Sequence, residues 1–383
     1  MGSLHPGAAS AASTVTTQDA AIPATVAQSF AESIDKGYIH LYAAAEQEHN
    51  RPLRVDDDPN GFPQFGHVVH QLRDKPAVPP STPDLAHRRE KDVLAGPDYG
   101  KGEKILQLDQ DGDTYSLVHN LHALFPEHMM AIPYFGDDKD AFRPQTSDLL
   151  PQDLYVAWRV VNAYAQAGRE TVMFFNGGPL AGASQPHLHM QFCPFQYGTA
   201  PGPEALARSS SPGLPAAAAD ASAPAARLPL PWTQFYLPLP SDRAPTSQEL
   251  HGLYTRLFCT SREYIASIEA GSSDDDGGDD HQRRRAQAAR AENRARVPPR
   301  GPKRDSYNLF LTARHIHLVP RTDRLVALER RGKDGDDLLR ISLNGLVYLG
   351  YWHVPSREDW DLVRETGLAH VLQRAAYINE EQQ

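Results

Sequence analysis

Two cysteines in 383 residues, Cys193 and Cys259, cannot build a disulfide framework, and no C-x-x-C pair is present to hold zinc. Cysteine this sparse suits a reducing interior. No stretch reaches the roughly 18 apolar residues that a membrane-spanning helix needs. The N-terminal segment lacks an apolar signal core and its first basic residue is Lys36, which argues against secretory and Arg-rich transit peptides. Met1-Gly2 opens like a myristoylation signal, but Pro6 stands where Ser or Thr is wanted. Positive charge is short as well. The 38 Lys and Arg face 48 Asp and Glu, for a formal net charge of −10. That balance excludes nucleic-acid binding through a broadly basic surface, though not a small basic pocket for an anion. A soluble, cytoplasmic protein with neither a membrane nor a nucleic-acid partner is expected.

What is present suffices for a substantial core: 40% of the residues are hydrophobic, so the chain is not disordered throughout. Its length fits one large domain or two smaller ones. Proline, 32 of 383 residues, is about 8% against a usual ~5% and should collect in loops and tails. Residues 1–23 are rich in Ala, Ser and Thr and read as a disordered tail. A helical pattern follows from about Ala24 to Glu48, with Phe30, Ile34 and Tyr38 at helical spacing. The apolar runs Tyr115 to Val118 and Met129 to Ile132, broken by Pro126, read as paired strands. Ser147 or Asp148 can cap a helix through Leu154, Ala157, Val160 and Tyr164 that stops at Gly168. Later come a helix over Ser247 to Glu269, strands near 306–320 and 340–351, and a helix opened by the capping box Ser356-Arg357-Glu358-Asp359.

Two segments read as insertions. Residues 198–231 are dominated by Ala, Pro, Ser and Gly, a composition with too little apolar surface to order itself. Residues 271–304 pass from the acidic GSSDDDGGDD to the basic HQRRRAQAARAENRARVPPRGPKR. A solvated, self-neutralising loop is the default reading, with a nuclear-localisation or anion-binding segment as the alternative for its basic half. The domains so delimited are 24–197 and 232–383.

The stretch that carries chemistry is Thr171 to Phe192, TVMFFNGGPLAGASQPHLHMQF. Val172 to Phe175 is a short apolar strand. Asn176 to Ser184 is a loop whose glycines let backbone N–H groups approach an anion closely. In the strand expected from Pro186 to Phe192, alternation places His187, His189 and Gln191 on one face and Leu188, Met190 and Phe192 on the other. The first and third polar residues are then roughly 7 Å apart, a span comparable to a phosphate and its neighbours. A lone strand His is more often structural than catalytic, and His-x-His is also a common zinc pair. Here no carboxylate or Cys accompanies the pair, and no metal is assigned to it.

The pattern N-x-G-P-x-x-G-x-S-Q-P-H-x-H-x-Q resembles the histidine-triad-like nucleotidyltransferases, and the full FFNGGPLAGASQPHLHMQF resembles their ATP adenylyltransferase (diadenosine tetraphosphate phosphorylase) branch. Further segments agree: Leu72 to Pro76, Tyr115 to Met129 with Asn120 and Phe125-Pro126-Glu127-His128, and Ser306-Tyr307-Asn308 through Thr312 to Val319-Pro320-Arg321. The resemblance covers about 61–195 and 232–375. It implies an α+β, histidine-triad-like fold, antiparallel sheets packed against helices in two related portions. The implied reaction is the reversible phosphorolysis of diadenosine tetraphosphate to ADP and ATP through a nucleotidyl-histidine.

By that match His189 is the nucleophile and His187 orients the site. Gln191, where triad hydrolases carry a third His, binds a phosphoryl oxygen but cannot act as an acid. Ser184, Gln185 and the backbone of Gly182, Ala183 and Ser184 would hold α-phosphate oxygens, and Asn176 the nucleotide side. Lys75 is the first candidate for the polyphosphate, with Arg314 and Arg321 behind it. Asn120, Ser306, Tyr307, Asn308 and Thr312 complete the substrate-binding set. Leu121 stands where the family commonly has Lys, so one cation is missing. The second pair, His315-Ile316-His317, lacks the glycine loop and the Gln and reads as structural. No protein-bound cofactor is expected, and a divalent ion such as Mg²⁺ would enter with the nucleotide. The expected partners are dinucleoside polyphosphates, ATP, ADP and phosphate. Adenylyl sulfate phosphorolysis, hexose-1-phosphate uridylyl transfer and a catalytically silent nucleotide binder are the alternatives; Gln191 disfavours a hydrolase.

Overall fold

One antiparallel sheet of nine strands draws on both halves of the chain in the computed structural model, which describes residues 17–42, 53–55, 62–70, 94, 103–135, 143–210, 225–271, 305–330 and 338–379. From one edge its strands are β10 (Ala226–Arg227), β11 (Phe235–Pro238), β13 (His315–Pro320), β12 (Tyr307–Leu311), β8 (Thr171–Gly177), β9 (Met190–Pro194), β7 (Met129–Tyr134), β5 (Asp113–His119) and β4 (Lys104–Gln110). The seam between the halves is the pairing of β12 with β8, in which Tyr307 faces Gly177, Asn308 faces Asn176 and Phe310 faces Phe174. Short parallel strands β1 (His40–Leu41) and β6 (His122–Ala123) pair beside it. A three-stranded sheet joins β16 (Tyr351–Val354), β3 (Gln64–Val68) and β2 (Leu53–Val55), and β14 (Leu325–Glu329) forms a hairpin with β15 (Leu338–Ser342).

Alternation along the strands divides the core between the two faces of the large sheet. Leu309, Leu318, Phe175, Met190 and Phe192 face α1 (Thr17–Asp35), α2 (Pro151–Gln166) and α4 (Ser247–Gly271). Phe174, Phe310, Tyr236 and Val319 face a layer from the C-terminal part: the hairpin, β16, α5 (Gly345–Tyr348), α6 (Arg357–Thr366) and α7 (Leu368–Gln373). The remaining helix is α3 (Gly202–Ser210). None of the described helices is long and apolar enough to cross a membrane.

Several expected elements shift. Within the stretch read as a disordered tail, 1–23, the chain is helical from Thr17, where α1 begins, and residues 1–16 lie outside the described residues. Ile22, Val26 and Phe30 form its buried stripe, and Asp19 reaches a buried Arg159 on α2 at 2.7 Å. The same helix stops at Asp35 rather than Glu48, followed by Gly37 at φ 69°. The α2 cap is not Ser147 or Asp148: the Asp153 carboxylate turns back to accept from Leu150 N–H at 2.6 Å, with Pro151 opening the helix. The expected strand over 340–351 is broken, since Asn344 caps the helical turn α5 by accepting from Leu346 N–H. Ser356 caps α6 as its motif anticipates, accepting from Asp359 N–H. Residues 202–210, inside the stretch read as unable to order, are helical. The composition of a long window hides the buried Glu204, which ties that helix to His315 and His317 of β13. Residues 211–224 and 272–304 lie outside the described residues.

Candidate active site

The candidate segment is extended from His187, but its ladder strand starts only at Met190. Before that point its partner is an irregular stretch, residues 143–145. His187 bridges Pro144, Leu188 N–H donates to the Arg143 carbonyl at 2.7 Å, and Gln145 N–H donates to the Pro186 carbonyl at 2.7 Å. The alternation survives this change of partner, because Leu188, Met190 and Phe192 are fully buried in the core on the helix-covered face. Gln191 faces the other way, level with Phe174 of β8 and Met130 of β7.

His189 Nδ1 lies 2.8 Å from the backbone carbonyl of His187. A carbonyl can only accept, so Nδ1 carries the proton and the lone pair of the neutral ring is on Nε2. That is the arrangement a nucleophilic imidazole needs. The backbone behind it is held by Gln145, whose Oε1 accepts from His189 N–H at 2.8 Å while its amide donates to the Asn176 carbonyl at 3.1 Å. Gln145 is buried and ties the strand of His189 to the start of the glycine loop. Nothing in its sequence neighbourhood, R-P-Q-T-S-D, announces that role.

The loop over 177–186 owes its path to close approaches. Gly178 (φ 81°) and Gly182 (φ 85°) sit in the left-handed region, and a Cβ on Gly182 would lie 2.5 Å from the Leu343 carbonyl. Leu180 N–H donates to Ser306 Oγ at 3.1 Å. Beneath the loop Asn176 Oδ1 accepts from Asn308 Nδ2 at 2.8 Å and Gly345 N–H at 2.9 Å, and Asn308 Nδ2 also donates to the Ala181 carbonyl at 2.9 Å. Gly182, Ala183 and Gln185 are half-buried and Ser184 is exposed, so the loop's outer side is open while His187 and His189 behind it are buried.

Beside the strand, His128 supplies a group absent from the sequence-based set. Leu124 N–H donates to its Nδ1 at 3.3 Å, which puts its proton on Nε2, 3.1 Å from Gln191 Oε1. Burial holds His128 down at about 4, so it stays the neutral donor. With the Gln191 oxygen occupied, its NH₂ is the end left for a phosphoryl oxygen. Asn120 lies against His128, Nδ2 to Nε2 3.4 Å, and its Oδ1 accepts from His122 N–H.

Other predicted binding residues take different places. Arg321 is buried and its guanidinium is committed: to the Ala375 carbonyl at 2.9 Å, Asn308 Oδ1 at 2.5 Å and the Asp323 carbonyl at 2.8 Å, over the Tyr348 ring. It supports the loop through Asn308 instead of offering a charge to polyphosphate. Asn176 likewise spends its side-chain oxygen on the framework rather than on a nucleotide. Tyr307 points to the helix-covered face, its hydroxyl 2.7 Å from that of Tyr254. Thr312 Oγ1 accepts from Arg314 and His315 N–H in the turn after β12. That turn follows Leu311, which pairs with Met173, at the strand end opposite Ser306 and Gly177, so the exposed Arg314 is also remote from the loop. Lys75 lies outside the described residues.

Comparisons with known proteins point to one family. Residues 103–205 match the Ap4A phosphorylase N-terminal domain and residues 228–377 the ATP adenylyltransferase C-terminal domain. The chain is 24% identical over 296 residues to diadenosine 5',5'''-P1,P4-tetraphosphate phosphorylase 2 of Saccharomyces cerevisiae, covering 76% of each chain. It is 24% identical to Protein APA1 of the same yeast over 142 residues, 36% of this chain and 40% of that one. Its fold is that of the crystal structure of yeast Ap4A phosphorylase Apa2, with a TM-score of 0.63 at 20% identity over 94% of this chain and 95% of the other. The same yeast protein in complex with Ap4A aligns with a TM-score of 0.62 at 20% identity over 93% and 97%.

Proposed function

The chain belongs to the family of Ap4A phosphorylases and ATP adenylyltransferases, and we propose on that premise that it cleaves diadenosine tetraphosphate with inorganic phosphate, giving ADP and ATP, reversibly. The observation that carries this reading is the His189 ring, whose Nδ1 is tied to the His187 carbonyl so that Nε2 holds the lone pair behind a glycine loop.

In the first step His189 Nε2 attacks the α-phosphorus at one end of the substrate. The N–P bond forms as the bond from that phosphorus to the bridging oxygen breaks, and the other three phosphates leave with their adenosine as ATP. The leaving oxygen departs as a stabilised polyphosphate anion, so no general acid is required, consistent with an amide at Gln191. In the second step an oxygen of inorganic phosphate attacks the adenylyl phosphorus, the N–P bond breaks, and ADP forms with His189 restored. Dividing the transfer through a covalent intermediate replaces one hard displacement by two easier ones. The loop backbone and the Gln191 NH₂ would hold the phosphoryl oxygens as charge shifts onto them. A divalent ion, where it takes part, comes with the polyphosphate.

Nucleotide chromatography after mixing the protein with diadenosine tetraphosphate, with and without phosphate, tests this. ADP and ATP are expected only when phosphate is present, and His189→Gly should abolish them. AMP and ATP formed without phosphate would mean hydrolysis, and turnover of adenylyl sulfate alone would move the reading to the sibling substrate.

A further inference from the structure

The pair His315-Ile316-His317, set aside by sequence as structural, acquires a third partner in the fold. Both rings project from one face of β13, and α3 brings Glu204 beneath them. His315 Nδ1 is 3.1 Å and His317 Nε2 3.0 Å from the same oxygen, Glu204 Oε2. One donor atom from each of the three residues falls within 4.8 Å of the other two. Glu204 and His317 are each 1% exposed and His315 5%. We propose that Glu204, His315 and His317 form a structural site for a divalent first-row transition ion, zinc in the first instance.

Two imidazole nitrogens and a carboxylate oxygen are a donor set suited to such an ion. Tetrahedral bonds of about 2.0–2.2 Å place neighbouring ligand atoms roughly 3.3–3.5 Å apart. The observed nitrogen–oxygen edges need only a few tenths of an ångström to open to that size. The outer partners are also of the kind a metal carboxylate has. Arg208 Nε donates to the other oxygen, Glu204 Oε1, at 2.8 Å, and Glu170 in turn holds Arg208 at 2.6 Å. Arg208 thereby holds Glu204 Oε1, which also lies 3.2 Å from His315 Nδ1, while Oε2 faces both rings, so the carboxylate is fixed as second-layer bonds do in metal sites.

The position separates this site from the chemistry. Gln191, Phe174, Phe310 and His317 are successive register partners across β9, β8, β12 and β13. Three strand spacings of about 4.8 Å put His317 roughly 14 Å from Gln191 along one row of the sheet. An ion there cannot touch a phosphate at His189. Its effect is to clip α3, the segment that follows the catalytic strand, onto a strand contributed by the other half of the chain.

The test uses the full chain purified without an affinity metal, its metal content read by plasma mass spectrometry. After chelator treatment, Zn²⁺ is titrated while melting temperature is followed. About one equivalent of metal, or stoichiometric uptake with a raised melting temperature, is expected. His317→Gln, whose amide reaches the Nε2 position and can keep a hydrogen bond to Glu204 but is a poor ligand, should lose both. Arg208→Gln should bind zinc on the order of tenfold more weakly through loss of the outer contact. Should a variant fail to fold, Co²⁺ added to the wild-type chain still decides, through the absorption bands of a tetrahedral nitrogen–oxygen site. The proposal is overturned if the wild-type chain takes up no zinc and shows no such bands, leaving only the hydrogen-bonded cluster. It is equally overturned if folded His317→Gln binds zinc as the wild type does.

Discussion

At the scale of single residues, the site depends on which way two planar groups are turned. The His187 carbonyl fixes the His189 tautomer, and His128 fixes the Gln191 amide, each through a contact within the protein. His128 is therefore a positioning residue. Replacing it by Leu frees the amide to flip its oxygen towards the phosphate, and kcat should fall about tenfold, the worth of one hydrogen bond, with KM little changed. His128→Gln, which can still donate to Gln191 Oε1, should recover most of the rate in steady-state assays. A purely structural role would instead show equal losses of stability and rate in both variants. That His187, His189 and Gln191 lie in one extended segment, with Leu188, Met190 and Phe192 turned into the core, was legible because strand alternation is written directly in sequence. Gln145 and Arg321 were not: both act through chain segments far from their own, and no local pattern records such a contact.

At the scale of elements, legibility followed how local the stabilising contacts are. The helix α4 and the strands β5 and β7 show their periodicity openly and stand where expected. The elements misread are those held from outside. Helix α3 looks like low-complexity chain apart from Glu204, and the first turns of α1 look like tail apart from Asp19. In α1 the Asp19–Arg159 pair is nearly fully buried, with Arg159 also donating to the Asp109 carbonyl at 2.7 Å. Removing one member of such a pair leaves a charge stranded out of water, at a cost of about 3 kcal/mol or more. Asp19→Ala should lower the denaturant midpoint accordingly and speed hydrogen exchange through 17–35. Its kcat should be unchanged, because α1 lies on the sheet face away from Gln191. A midpoint equal to that of the wild type would show that the pair contributes nothing.

At the scale of the whole molecule, buried histidines set the acid limit of the fold. Burial lowers His67, His119 and His128 each to about 4 from an ordinary 6.5, and holds His353 well below 6.5 too. Between pH 6.5 and 4 the unfolded chain takes up protons that the folded chain refuses. Stability from these groups is thus complete above 6.5 and drains as pH falls, by at most about 1.4 kcal/mol per pH unit for each histidine. The melting temperature should begin to drop near pH 6.5, well above the range where carboxylates protonate. A curve flat down to pH 5 would contradict the burial of these rings.

The pairing of β8 with β12 also dictates an order of events during synthesis. Asn176 and Asn308, which meet across that seam, are separated by 132 residues, so the loop in front of His189 has no floor until more than three quarters of the chain has been made. Until then β8 has no partner on one side, and an apolar strand, VMFF, presents open hydrogen-bonding groups to any neighbour. Contacts so distant in sequence form late. A chain truncated after residue 240 should accordingly collect in the insoluble fraction, and supplying residues 225–383 as a separate chain should return part of it to solution. The nascent protein is then most exposed to aggregation while β8, which leads into the glycine loop, waits for the partner that completes its sheet.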